Sequence, residues 1–128
     1  MSSVYVQTAG TLTTNSASFT PIPGLSLTVP EGANIQALVI VNLPNPYAEG
    51  DNFAGAVIGI SVDGTVLPAI ASFTYGIQQP ASFNRMPTTL VAAVPLTDQP
   101  QTVAAVWFGV RGATVIIDSP ASLSVILD

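Results

Sequence analysis

The sequence predicts an all-β sandwich or barrel, with the jelly roll as its form, and three observations carry that expectation. No stretch of the 128 residues sustains a 3.6-residue apolar period. Short runs rich in Val, Ile, Thr and Ala recur along the whole chain. Eleven prolines and ten glycines punctuate them. That alternation of brief extended runs with turn residues is the pattern of packed β-sheets. The length suits a single domain spanning residues 1–128, and no internal repeat, linker or low-complexity segment divides it.

In order, Val4 to Gln7 and Ala17 to Thr20 read as short strands. Pro21 to Gly24 reads as a turn, and Leu25 to Val29 alternates apolar with polar. Ala37 to Val41 is apolar on both faces, as expected of a strand with no solvent side. Asn42 to Asn52 is too long for a hairpin turn and reads as a loop. Ala54 to Val62 is a second buried-type strand, and Asp63-Gly64 is a strong hairpin signal. Leu67 to Tyr75 follows, with Pro68 marking an edge or a bulge. Thr88 to Val94, Thr102 to Val110, Thr114 to Ile117 and Ala121 to Leu127 complete the set.

Composition narrows the function. Cysteine and histidine are absent, which excludes disulfides, thiolate metal sites and Ser-His-Asp or Cys-His nucleophiles. Zinc would have only carboxylates to bind. Seven acidic residues against two basic ones give a net charge of −5. Nucleic acid is therefore not an expected partner, because phosphate recognition needs clustered cations. Membrane insertion is not expected either, since no apolar run approaches the 18 or so residues of a spanning helix. Met1 to Tyr5 shows neither the basic nor the apolar region of a secretory leader, so the expectation is synthesis in the cytoplasm followed by release.

Charged residues make up 7% of the chain beside 48% hydrophobic ones, whereas soluble domains carry about 25% charged. A domain this small cannot hide that much apolar surface alone, so the sequence predicts burial against copies of itself. Both cations are arginines, Arg85 and Arg111. Arg85 lies in a loop rich in hydroxyl and amide side chains between Gly76 and Pro87, a set suited to a neutral polyhydroxylated ligand. Asp118 follows Arg111 by seven residues and is expected to pair with its guanidinium, either orienting it for a ligand or forming a plain structural ion pair. Trp107 sits in an apolar run and reads as core, while Tyr47, in the loop Asn45-Pro46-Tyr47, reads as a surface contact. The acids Glu49 and Asp51 read as a solvated turn rather than as a glycosidase pair or a calcium site.

Several motifs occur together in one order. They are Asn45-Pro46-Tyr47-Ala48, Phe73-Thr74-Tyr75, the run from Pro80 through Ser82 and Arg85-Met86-Pro87 to Ala92, Trp107, Val110-Arg111-Gly112, and Ile117-Asp118-Ser119. With Ile22 to Val29 they resemble the TNF-like fucose-binding lectin domain found at the N-terminus of bacterial superlectins, from about Ile22 to the end of the chain. The resemblance implies a jelly roll assembling as a homotrimer. It implies calcium-independent sites for fucosylated glycans between protomers, without catalysis and without a cofactor. Groups matching Tyr47, Ser82 and Arg85 would come from one chain, and those matching Thr74, Tyr75 and Arg111 from its neighbour. Asp118, Phe83 and Trp107 would support the site. Four residues depart from the family pattern: Val57 replaces an aromatic, Phe83 a small hydroxyl residue, Ile70 an acid and Phe108 a basic residue. A structural β-sandwich trimer without sugar binding is the competing interpretation.

Overall fold

The computed structural model describes residues 2–30, 35–80 and 84–127. Eleven strands form among them: β1 (Ser2–Gln7), β2 (Leu12–Thr14), β3 (Thr20–Val29), β4 (Gln36–Leu43), β5 (Tyr47–Glu49), β6 (Gly55–Val62), β7 (Thr65–Thr74), β8 (Thr88–Pro95), β9 (Gln101–Val110), β10 (Thr114–Ile117) and β11 (Ser122–Leu127). They build two four-stranded sheets, β1-β11-β4-β8 and β3-β9-β6-β7, and a small third sheet, β2-β10-β5. Every pairing is antiparallel. The result is an all-β sandwich of the jelly-roll kind.

Period-2 alternation decides what each sheet buries. In β4 the odd positions Ala37, Val39, Val41 and Leu43 point inward and are fully buried. Val125 and Leu123 of β11 lie beside Val39 and Val41 in the ladder. From the opposite sheet, Ile58, Ile60, Val103, Ala105 and Trp107 close the core. Each buried aliphatic side chain contributes roughly 1.5–3 kcal/mol. Trp107 has no exposed surface, in line with its reading as core, and its Nε1–H has no partner among the described residues.

Turn chemistry matches where the residues dictate it. Asp63 and Gly64 both take positive φ, 50° and 84°, and join β6 to β7 as the Asp-Gly signal requires. The Asp63 carboxylate also accepts the Thr102 N–H at 2.8 Å. Pro68 lies on β7, an edge strand with a register shift opposite Gly59 and Ser61.

Three local expectations are corrected. Pro21 to Gly24 is not a free turn but a bulge within β3, where the register against β9 jumps between Pro21 and Ser26. The two prolines have no N–H to give to the ladder, and Gly24, at φ 86°, lets the chain rejoin it. Ala17 to Phe19 is not strand. Instead the Phe19 ring folds over Gly59, where an added Cβ would lie 3.1 Å from it, and meets Phe108 edge-on at 4.8 Å. The supposed loop from Asn42 to Asn52 contains β5, which pairs with β10 and has too few residues to show alternation.

One sheet face carries no charge among the described residues. On the outer side of β1-β11-β4-β8, the row Tyr5, Ser124, Ile40, Val91 runs across all four strands. The next row is Ser3, Ile126, Leu38, Ala93. Tyr5, Leu38 and Val91 are 56%, 42% and 53% exposed in the single chain. The strand read as apolar on both faces therefore does have an open side, lined by Leu38 and Ile40.

Candidate functional site

Arg85 is fixed from three sides. Its two terminal nitrogens donate to the two oxygens of Asp118, each at 2.9 Å. The first of them also donates to the Asn45 carbonyl at 3.1 Å. The guanidinium lies 4.2 Å from the centre of the Tyr47 ring, within cation–π range. The surrounding chain is tied down as well, because Met86 N–H donates to Pro46 O at 2.9 Å and Asn45 Nδ2 to Ser119 Oγ at 3.4 Å.

Asp118 therefore pairs with Arg85 and not with Arg111, which overturns the sequence expectation. The reason is the strand between Arg111 and Asp118. The four residues of β10 advance about 13 Å and carry the carboxylate away from the turn where Arg111 sits.

Arg111 occupies that turn, after β9. Arg111 and Gly112 both have positive φ, 53° and 76°, and Ala113 N–H donates to Val110 O at 3.1 Å. Left-handed backbone at a bulky residue is uncommon and costs energy. Here it aims the guanidinium at two carbonyls: Nε donates to Asn52 O at 2.9 Å and Phe53 O at 3.2 Å, and the terminal amine to Phe53 O at 2.6 Å. Phe53 is itself left-handed, at φ 51°, and its N–H donates to Gln78 O at 3.2 Å. Among the described residues no carboxylate pairs with Arg111.

Thr74 joins the Arg111 corner. Gly55 pairs with Thr74 on one side and Val110 on the other. A side chain at Gly55 would run into the Phe73 carbonyl, so glycine keeps these three strands close. Val57, Ile70 and Phe108 share this outer face with Thr74, in the adjoining rows.

The two arginines thus stand at opposite ends of the β5–β10 ladder, in which Thr114 faces Glu49 at one end and Ile116 faces Tyr47 at the other. Within one chain Tyr47, Arg85 and Asp118 are brought together, and Thr74 and Arg111 form a separate corner. Thr74 is exposed and Tyr75 is 5% exposed, on opposite faces as strand alternation requires. The Tyr75 hydroxyl donates to Asn84 O at 2.6 Å and accepts Ala48 N–H at 3.1 Å. Burial pushes this phenol above its ordinary value of 10.0, against smaller opposing effects of the Ala48 hydrogen bond and the Arg85 charge. Ser82 and Phe83 lie outside the described residues.

Backbone carbonyls of Asn45, Asn52, Phe53 and Asn84 complete both corners. No residue-type signal marks a carbonyl, so the sequence could not single them out. Exposed Glu49 and Asp51 sit at and just beyond the end of β5, in keeping with a solvated turn.

The sandwich is TNF-like in fold. The solved structure of Eiger TNF from S. frugiperda superposes with a TM-score of 0.53 at 9% identity, covering 98% of this chain and 92% of that one. The likeness is one of fold. The sequence itself matches the Bc2l-C N-terminal domain family over residues 3–126, and the chain belongs to that family of TNF-like lectins. More distant in shape are the CBM36-1 domain of a xylanase from the hindgut metagenome of Trinervitermes trinervoides (TM-score 0.48, 13% identity, 97% and 96% covered) and a family 35 carbohydrate binding module from Clostridium thermocellum (0.42, 16%, 100% of both chains). No curated protein matches.

Proposed function

We propose that this protein is a sugar-binding lectin that recognises fucose or fucosylated glycans without calcium and without catalysis. It acts as a homotrimer with its sites between neighbouring protomers. Tyr47, Ser82 and Arg85 serve each site from one chain, and Thr74, Tyr75 and Arg111 from the next.

The observation that carries this reading is that the protein's own groups hold both arginines in place. Arg85 is held by Asp118, Asn45 and the Tyr47 ring, and Arg111 by the Asn52 and Phe53 carbonyls. A planar guanidinium presents a rigid fork that can bridge two adjacent ring hydroxyls. The entropy of immobilising it is met during folding rather than on binding. Membership in the Bc2l-C N-terminal domain family supports the same reading.

The separation of the two corners within one chain fits a site completed by a second copy. The uncharged outer face carrying Tyr5, Leu38, Ile40 and Val91 is the surface for that assembly, because burying it there sets no charge in a dry interface. One site then supplies roughly −4 to −8 kcal/mol, a millimolar to micromolar Kd. Several sites per trimer raise avidity on a glycan-coated surface by about 10²-fold or more.

The experiment is a glycan array on the purified protein, followed by titration calorimetry with L-fucose in the presence of EDTA. Fucosylated glycans should dominate the array, and EDTA should leave the affinity unchanged. An array with no glycan bound would discard the lectin reading and leave a structural trimer.

A further inference from the structure

Tyr75 touches both corners of the site at once. At its main-chain end, Tyr75 N–H donates to Ala54 O at 2.9 Å. Ala54 directly follows Phe53, whose carbonyl takes the Arg111 amine at 2.6 Å. At the far end of the side chain, the hydroxyl donates to Asn84 O and accepts from Ala48 N–H. Asn84 precedes Arg85, and Ala48 follows Tyr47, on which Arg85 stacks. A rigid ring with two torsions lies between these ends, and it packs against Phe73 with centroids 5.6 Å apart.

We propose that Tyr75 is a positioning residue, a strut whose two ends set the Arg111 corner and the Arg85 corner of one protomer at a fixed spacing. This rests on the shared-site reading above and adds a role to it. With the residue 5% exposed and its hydroxyl engaged at both lone pair and proton, the side chain acts from beneath the site. In a trimer the two corners of one chain serve two different crevices. The strut therefore fixes how adjacent crevices are spaced around the assembly, and ordering one end orders the other.

The test is Tyr75→Phe, which keeps the ring and removes the hydroxyl. We expect a folded protein in which amide exchange at Ala48 and Met86 speeds up about tenfold or more, while L-fucose affinity falls about tenfold, the scale of one lost hydrogen bond. Val103→Ala, a core change at the far end of β9 opposite Val62, should lower stability but leave affinity unchanged. Unchanged Ala48 exchange in Tyr75→Phe, or unchanged affinity beside a wild-type protein that binds, overturns the strut. A wild-type protein that binds no L-fucose sinks the lectin reading instead, and the exchange measurement still decides the strut, upholding it if faster and overturning it if not. Should Tyr75→Phe fail to fold, saturating the wild-type protein with L-fucose must slow exchange at both Ala48 and Tyr75, and slowing at one end alone overturns the coupling.

Discussion

Arg85 and Asp118 meet through two parallel hydrogen bonds of 2.9 Å each, thirty-three residues apart in the chain. Arg85 sits just ahead of β8, Asp118 just after β10, and the pair closes the end of the sandwich over Tyr47. With side chains 24% and 32% exposed, it is neither buried nor fully solvated. Its value therefore lies more in holding a guanidinium still than in folding energy.

Asp118→Asn tests that directly. One strong acceptor and the charge are lost while the shape stays. L-Fucose affinity should fall about three- to tenfold in titration calorimetry, and the melting temperature should move by less than about 6 °C, as expected for a partly exposed pair worth at most about 1 kcal/mol. A large fall in stability with intact binding would show the pair to be structural.

Arg85→Ala and Arg111→Ala each remove charged hydrogen bonds worth on the order of 1.5–3 kcal/mol apiece, so binding should drop at least 10- to 100-fold in either variant. Both should remain folded, since each guanidinium lies at the surface on main-chain carbonyls. Binding retained in either variant removes that arginine from the site.

Val91→Asp places a charge on the uncharged face, on its edge strand β8 beside Ile40. Light scattering should then report the 13.1 kDa single chain, where the proposed trimer of the parent protein should give about three times that mass. Sugar binding should disappear with assembly if, as proposed, each crevice is built from two protomers. A trimeric Val91→Asp would place the interface elsewhere.

High pH probes the buried phenol. Tyr75 is raised above 10.0 in the fold, so the folded chain keeps a proton there that the unfolded chain releases. Its contribution is complete below about pH 10 and is lost as pH climbs through the folded value. Melting temperature should fall above about pH 10, and Tyr75→Phe should fall less steeply over the same range.

The all-β class was written in the chain. Asp63-Gly64 dictates a left-handed hairpin turn by itself, and the odd positions of β4 alternate with the even ones whatever surrounds them. The two arginines stood out because no other cations exist. Only the tertiary structure decided their partners. Asp118 serves Arg85 because β10 carries it past Arg111, and Tyr47 lies under a guanidinium because a three-residue strand pairs there. Sequence fixes what each residue can do and how neighbours alternate. Which groups meet across the sandwich depends on strand order and register, and these are set by the whole chain's burial of its apolar faces at once.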